Sequence, residues 1–199
     1  MLNVHTNHAI VDKWFTPKEC NQIINYAVNY GVYNKPRVGL DSQVPGGRVD
    51  ESTRNGKLYF FTNKTIATKV LDKVKQVNKH LWNLKLYNLE PMQLTVYDVD
   101  DHYTWHRDQE EVAKMHPLHK DKPLIRKLSF SINLTQEGRD YSGGDLQTHD
   151  GLEFREKIPQ IYDQGNGMVF LSALPHRVLP VTRGRRVALV GWVSGPPYR

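Results

Sequence analysis

Tyr97-Asp-Val-Asp-Asp-His-Tyr-Thr-Trp-His106-Arg-Asp108 places a histidine and an aspartate two residues apart, at the end of a segment whose apolar residues alternate (Leu94, Val96, then Val99, Tyr103, Trp105). On a β-strand, residues i and i+2 point to the same face. Both side chains can therefore reach one metal ion from one strand end, the imidazole as a neutral nitrogen ligand and the carboxylate as a hard anionic oxygen. A second stretch, His176-Arg-Val-Leu-Pro-Val-Thr-Arg-Gly-Arg-Arg186, offers the third ligand. His176 opens a run that reads as extended, because Pro180 disfavours helix at Leu179. Two histidines and one carboxylate leave coordination positions free, the pattern of non-haem Fe(II) sites that activate oxygen.

Outward from these stretches the pattern stays β. From about Leu84 onward, apolar runs are separated by Gly, Pro and Asp turns, as a sandwich or jelly roll requires. The expected fold is mainly β with supporting N-terminal helices, a double-stranded β-helix of about eight strands. A single domain is expected over 1–199, with helical support and substrate-side loops in 1–83 and the β-helix core in 84–199. The first helix starts at Thr16, with Pro17 at its first position and Glu19 closing a capping box. It carries Ile23, Ile24, Ala27 and Val28 on one face and stops near Gly31. The second runs from about Asn63 to Trp82, with Ile66, Val70, Val74, Val77 and Leu81 at helical spacing. Gly143-Gly144 reads as a turn before the Asp145-Leu-Gln-Thr strand.

Ten positions after His176 lies Arg186, at the head of the apolar strand Val187-Ala-Leu-Val-Gly-Trp192. If that strand lies beside the His176 strand, the guanidinium can enter the same cavity. A buried arginine without an acidic neighbour calls for a carboxylate, best bound bidentately. Only one of Arg185 and Arg186 can point inward, since adjacent strand residues face opposite ways. The spacing favours Arg186, and a bulge would select Arg185. A second triplet of the same form, His119-Lys120-Asp121, lies in a polar stretch with two prolines and no alternation. It reads as loop, as does His116.

Three blocks in order carry a resemblance. They are Leu94-Thr-Val-Tyr97 leading to His106-Arg-Asp108, then Leu128-Ser-Phe-Ser-Ile-Asn-Leu-Thr with Asp140-Tyr-Ser-Gly143-Gly144-Asp145-Leu146, then Pro175 to Arg186 ending at Trp192. Over residues 92 to 194 the chain resembles the iron- and 2-oxoglutarate-dependent dioxygenases, in their prolyl 4-hydroxylase-like branch and the pattern of the PKHD-type hydroxylases. The resemblance implies His106, Asp108 and His176 as iron ligands. It implies Arg186 as the partner of the far carboxylate of 2-oxoglutarate, and Tyr97 as a hydrogen-bonding neighbour of that co-substrate, a role that competes with a plain core aromatic. Where some members of the family carry a second aromatic that assists the co-substrate, the candidates in this chain are Ser131 and Asn133, neither of them aromatic. Fe(II), 2-oxoglutarate and O2 are the implied cofactors, with ascorbate as an optional reductant. The implied reaction inserts hydroxyl into an unactivated C–H bond, first of all of a prolyl residue in a peptide or protein, with succinate and CO2 released. Residues 34 to 56 and 109 to 126 are long aperiodic connections, read as segments over the substrate. Arg54 and Trp192 are candidate substrate-lining residues.

Composition fits one soluble enzyme. Four Trp and ten Tyr supply large core side chains, and no apolar stretch approaches a membrane span. The amino terminus lacks the order of a signal peptide. A lone Cys20 excludes an internal disulfide framework and a thiolate zinc site, so the reducing cytoplasm is expected. The chain is basic, with formal charge +6, but the charge is spread over several segments and forms no nucleic-acid-binding arm. Three readings compete: an oxidative nucleic-acid dealkylase, suggested by Trp105-His-Arg-Asp-Gln-Glu110, a non-enzymatic cupin-like binding module, and a zinc hydrolase. The binding module has no use for all four of His106, Asp108, His176 and Arg186. The hydrolase leaves Arg186 unexplained.

Overall fold

A computed structural model describes residues 2–4, 7–37, 49–109, 124–149, 154–155 and 161–198. In chain order these form β1 (Leu2–Val4), β2 (His8–Val11), α1 (Pro17–Tyr30), β3 (Val32–Asn34), β4 (Lys57–Phe61), α2 (Lys64–Leu81), β5 (Asn88–Leu89), β6 (Met92–Tyr97), β7 (Tyr103–His106) and β8 (Ile125–Asn133). There follow β9 (Tyr141–Gly143), β10 (Leu146–His149), β11 (Phe154–Arg155), β12 (Gly167–Leu171), β13 (His176–Val178), β14 (Val181–Gly184) and β15 (Arg186–Gly195).

The strands build a major sheet in the order β1-β2-β12-β8-β15-β6-β4-β3, with β5 attached to β15, and a minor sheet β11-β10-β13-β7. A short β14-β9 pair lies off both, and the named strands pair antiparallel throughout. This is the double-stranded β-helix expected from the sequence. Four strands from the first 83 residues, β1 to β4, join the major sheet, a contribution hidden from the sequence pattern because their runs are short.

Period two explains how the sheet serves a site. On β6, β8 and β15 one set of alternate residues is apolar: Met92, Leu94 and Val96; Leu128, Phe130 and Ile132; Val187, Leu189 and Val193. These pack with Trp14, Ile23, Ala27, Val70, Val74 and Val77 in one core beneath the two helices. The opposite set is polar yet buried, including Gln93, Thr95, Ser129, Asn133 and Arg186. A sheet face that is both polar and hidden from bulk water lines a cavity, because buried polar groups need partners. The minor sheet covers that face, with a second core of Ile10, Tyr141, Leu146, Met168, Phe170 and Val178 beside it. Gly191 makes room for Phe130 on the neighbouring strand: a Cβ there would collide with the Phe130 ring.

Both helices begin as their sequences require. The Thr16 hydroxyl accepts from the Glu19 amide at 3.3 Å and the Glu19 carboxylate accepts from the Thr16 amide at 2.8 Å. Asn63 caps α2 by accepting from the Ile66 amide. The buried face of α1 is Cys20, Ile23 and Ala27, while Val28 is 46% exposed. The expected stripe was therefore rotated: spacing from Cys20 by three and seven residues sets the contact line. Gly31 ends the helix with an extended φ of −79°, so it is required by space, since a Cβ would strike the Ala27 carbonyl oxygen.

Lys69 of α2 donates to Glu19 at 2.6 Å and ties the helices together. That hydrogen bond, followed by those from the Thr16 amide and hydroxyl, lowers the Glu19 pKa to about 2. A depressed folded-state pKa means stability present above the usual carboxylate range and lost as the pH falls towards 2. Glu19→Gln should melt below the wild type at pH 6 and converge with it near pH 2. Thr16→Ala should cost about 1 kcal/mol, a fall in Tm of about 2–4 °C by calorimetry. Among the described residues no helix is long and apolar enough to cross a membrane.

Candidate metal centre

His106 is the last residue of β7 and His176 the first of β13, and the two are direct cross-strand partners in the minor sheet. Their ring centroids lie 4.1 Å apart. Asp108 is not on the strand: the chain leaves the sheet after His106, and the amides of Asp108 and Gln109 both donate to the Ser172 carbonyl at 3.0 Å. That anchor returns the Asp108 carboxylate to the pair, with Oδ1 at 3.7 Å from His106 Nε2 and Oδ2 at 3.4 Å from His176 Nε2. One donor atom from each of the three residues lies within 4.8 Å of the others.

Hydrogen bonding fixes which nitrogens face inward. His106 Nδ1 meets the Thr104 carbonyl at 2.8 Å and His176 Nδ1 meets the Leu174 carbonyl at 2.9 Å. A carbonyl oxygen only accepts, so each Nδ1 carries the proton and each Nε2 presents a lone pair. Burial, and then the neighbouring His176, pulls the His106 pKa down to about 3, leaving the ring neutral. Burial works against a charge on Asp108. The carboxyl is nevertheless held below its ordinary range, with its oxygens turned to the His176 and His106 rings. Two lone pairs and an anionic oxygen thus converge on one point, an arrangement that repels itself without a cation between them. The donor set fits a divalent metal with free positions.

Arg186 reaches the same cavity from the other sheet. Its strand β15 lies between β8 and β6, so it faces the His176 strand across the cavity, and the adjacency on which its entry was conditional is not needed. Arg186 is 2% exposed and its Nε has no hydrogen-bond partner. Among the described residues it has no carboxylate partner either. Arg185 points outward and donates to Asp98 at 2.6 Å, with its side chain 61% exposed. Tyr97, the cross-strand partner of Arg186, presents its ring 5.6 Å from the guanidinium carbon. The buried phenol of Tyr141, raised in pKa by burial against the opposing pull of Arg186, lies on the other side. Gly143 and Gly144 take φ of +74° and +65°, as the expected turn needs. A Cβ on Gly144 would also stand 3.0 Å from Arg186 Cδ and 2.9 Å from Val181 Cγ2. Gly144→Ala should destabilise by about 1–2 kcal/mol in urea titrations, because the left-handed backbone is costly for alanine, and the clash displaces the Arg186 stem as well.

The remaining cavity residues were read unevenly from sequence. Arg54 and Trp192 both line the cavity, of about 220 Å³, together with Tyr97, Ser131 and Arg186. Asn133 does not serve it: its Nδ2 donates to the Thr135 and Tyr162 carbonyls and to the Tyr141 hydroxyl, which makes it part of the wall. Tyr103 was missed, although its ring stacks on His106 at 3.4 Å and 14°. Arg126 was missed too. It holds Glu90 through Nε at 2.9 Å and NH2 at 2.8 Å and stacks on Trp192 at 4.1 Å. Simple alternation hides it, since a bulge pairs Val193 with Leu128 but Ser194 with Arg126 and shifts the inward positions by one. His116, His119 and Asp121 lie outside the described residues, as do 38–48 and 110–123 of the two segments read as substrate-side loops.

With this geometry in place the chain can be placed among known proteins. It belongs to the 2OG-Fe(II) oxygenase superfamily, whose family model matches residues 92–194. A PKHD-type hydroxylase of Maricaulis maris is 41% identical over 66 residues, which is 33% of this chain and 28% of that protein. Another PKHD-type hydroxylase, from Idiomarina loihiensis, is 26% identical over 164 residues, 80% of this chain and 69% of that protein. The match with the Maricaulis protein thus spans less than a third of its length. Among solved structures, a prolyl hydroxylase from Trichoplax adhaerens, in complex with a hypoxia inducible factor oxygen degradation domain peptide fragment, superposes with a TM-score of 0.69. It is 17% identical, covering 94% of this chain and 83% of that one, a likeness of fold.

Proposed function

We propose that this chain is an Fe(II)- and 2-oxoglutarate-dependent dioxygenase that hydroxylates an unactivated C–H bond, most directly of a prolyl residue in a peptide or protein. The observation that carries the reading is the meeting of His106, Asp108 and His176 with a buried, carboxylate-free Arg186 in one cavity. The relatives' name as hydroxylases and the peptide bound to the Trichoplax structure support the substrate class. A lone, buried Cys20 supports a reducing, cytoplasmic setting, where Fe(II) persists.

Each residue has a task. His106, Asp108 and His176 hold the metal through Nε2, a carboxylate oxygen and Nε2, with the Thr104 and Leu174 carbonyls fixing both rings. When bound, the metal supplies the oxidising power, drawn from O2 and the decarboxylation of 2-oxoglutarate to succinate and CO2. Arg186 takes the far carboxylate of 2-oxoglutarate, and Tyr97 and Tyr141 fix the position of its guanidinium. Trp192, held flat against Arg126, forms a rigid wall for the substrate.

Anaerobic titration of the metal-free protein with Fe(II) and 2-oxoglutarate tests this reading. A visible charge-transfer band should appear, followed in air, with ascorbate present, by succinate formation. Fe(II) binding without the band would move the weight to a binding module or a hydrolase.

A further inference from the structure

Resting on that reading, we propose that the peptide substrate carries an acidic side chain on a residue flanking the one that is hydroxylated, and that Arg54, with Arg107 at the rim, receives its carboxylate. Among the described residues that line the cavity there are five arginines, Arg37, Arg54, Arg107, Arg126 and Arg186, and one carboxylate, Asp108. The proposed cargo accounts for part of this charge. Asp108 goes to the metal, Arg186 to 2-oxoglutarate, and Arg126 is already neutralised by the buried Glu90. The near end of the co-substrate is spent on the metal. Among the described lining residues Arg54 and Arg107 are then left over as cations, and low-dielectric walls focus their field on whatever enters.

Arg54 is the better placed of these two. Its guanidinium lies 4.4 Å above the Tyr103 ring, which itself stacks on His106, so it sits one ring away from the metal-facing imidazole. Its Nε is buried with no hydrogen-bond partner. A buried donor left unpaired is costly, and a ligand acceptor removes the cost. The backbone around it is fixed in advance. Arg54 bridges to Tyr103, the Thr104 amide donates to Thr53, the Asn55 amide donates to the His102 carbonyl, and the Asp50 carboxylate accepts from the Ser52 and Thr53 hydroxyls. Little ordering is left to be done on binding, which is how a recognition residue gains affinity. Arg107 is exposed at the mouth and makes no ion pair among the described residues.

The test uses two acetylated, amidated pentapeptides, Ala-Glu-Pro-Glu-Ala and Ala-Gln-Pro-Gln-Ala, titrated calorimetrically into the full chain loaded with Mn(II) and 2-oxoglutarate. The acidic peptide should bind at least about ten-fold more tightly, and the preference should fade with added salt. Arg54→Gln should remove most of that preference, Arg54→Lys should restore part of it, and Arg107→Gln should reduce it by a smaller factor. Equal affinity for the two peptides, no binding of the acidic one at millimolar concentration, or a preference that survives Arg54→Gln each overturns the proposal. Tighter binding of a single-stranded thymidine hexanucleotide would assign the arginines to phosphate and overturn it as well. A prior titration of the wild type with Mn(II) and 2-oxoglutarate alone reports on the parent reading. If that fails, the dioxygenase assignment falls, whereas if only the peptide arm fails, the carboxylate proposal falls alone.

Discussion

His176→Ala should abolish 2-oxoglutarate turnover, by at least about 10³-fold, since even removing an outer partner of a metal ligand costs 10–100-fold. His176 is 5% exposed and wedged between the His106 ring at 4.1 Å and the Phe170 ring at 4.8 Å, and among the described residues no other His, Asp, Glu or Cys joins the cluster of His106, Asp108 and His176. The loss has to be separated from unfolding, because deleting a buried ring also leaves a hole. Melting with and without metal does so. At a concentration of about 100 times Kd, metal should stabilise the wild type by about 2.7 kcal/mol, a rise of about 5–10 °C for a chain of this size. His176→Ala should melt cooperatively but show no such rise. Zinc should give the wild type the same thermal rise and no turnover, because zinc has no redox chemistry. Turnover supported by zinc, or an unchanged metal response in His176→Ala, would remove these residues from the centre of the mechanism.

The three candidate metal ligands could be picked out from the sequence because their chemistry is local. His106-Arg-Asp108 and His176-Arg-Val-Leu-Pro180 each carry ligand atoms and extended backbone in one short run, and a long alternating strand such as β15 announces its own register. The helices were legible for the same reason, from Thr16-Pro-Lys-Glu19 and from the spacing of Val70, Val74 and Val77. What escaped depends on pairing across the sheets. Asp108 reaches its partners through a loop pinned by Ser172, which no strand periodicity encodes. Arg126 turns inward because of a bulge opposite Val193, a property of two strands together. The strands β1 to β4 are three to five residues long, too short for a pattern, and are ordered by the neighbours they pair with. Arg186 lines the cavity without the strand adjacency that the sequence offered as a condition: the fold sets its strand and that of His176 on different sheets.

That placement underlies the second large effect. Arg186→Leu should raise the KM for 2-oxoglutarate by at least about 30-fold, because truncating one side of a buried charge pair costs 2–5 kcal/mol or more. The side chain is 2% exposed, its Nε lacks a protein partner, and no acidic group neutralises it among the described residues. Much of its affinity for an anion is therefore unspent until the dicarboxylate arrives. Arg186→Lys should recover only part of the loss, since an ammonium cannot match a carboxylate with two parallel bonds. The effect should fall on co-substrate binding and leave the metal alone: Fe(II) or Mn(II) affinity, read by calorimetry, should stay within a few-fold of the wild type. Stability should move the other way. With the ligand absent, Arg186 is an unpaired buried cation, so a leucine of lower desolvation cost should raise the melting temperature of the metal-free protein. A variant that is more stable, still binds metal and no longer holds 2-oxoglutarate would assign this arginine to the co-substrate. Unchanged KM would assign the co-substrate to another of the cavity's arginines, and Arg54 would be the next to test.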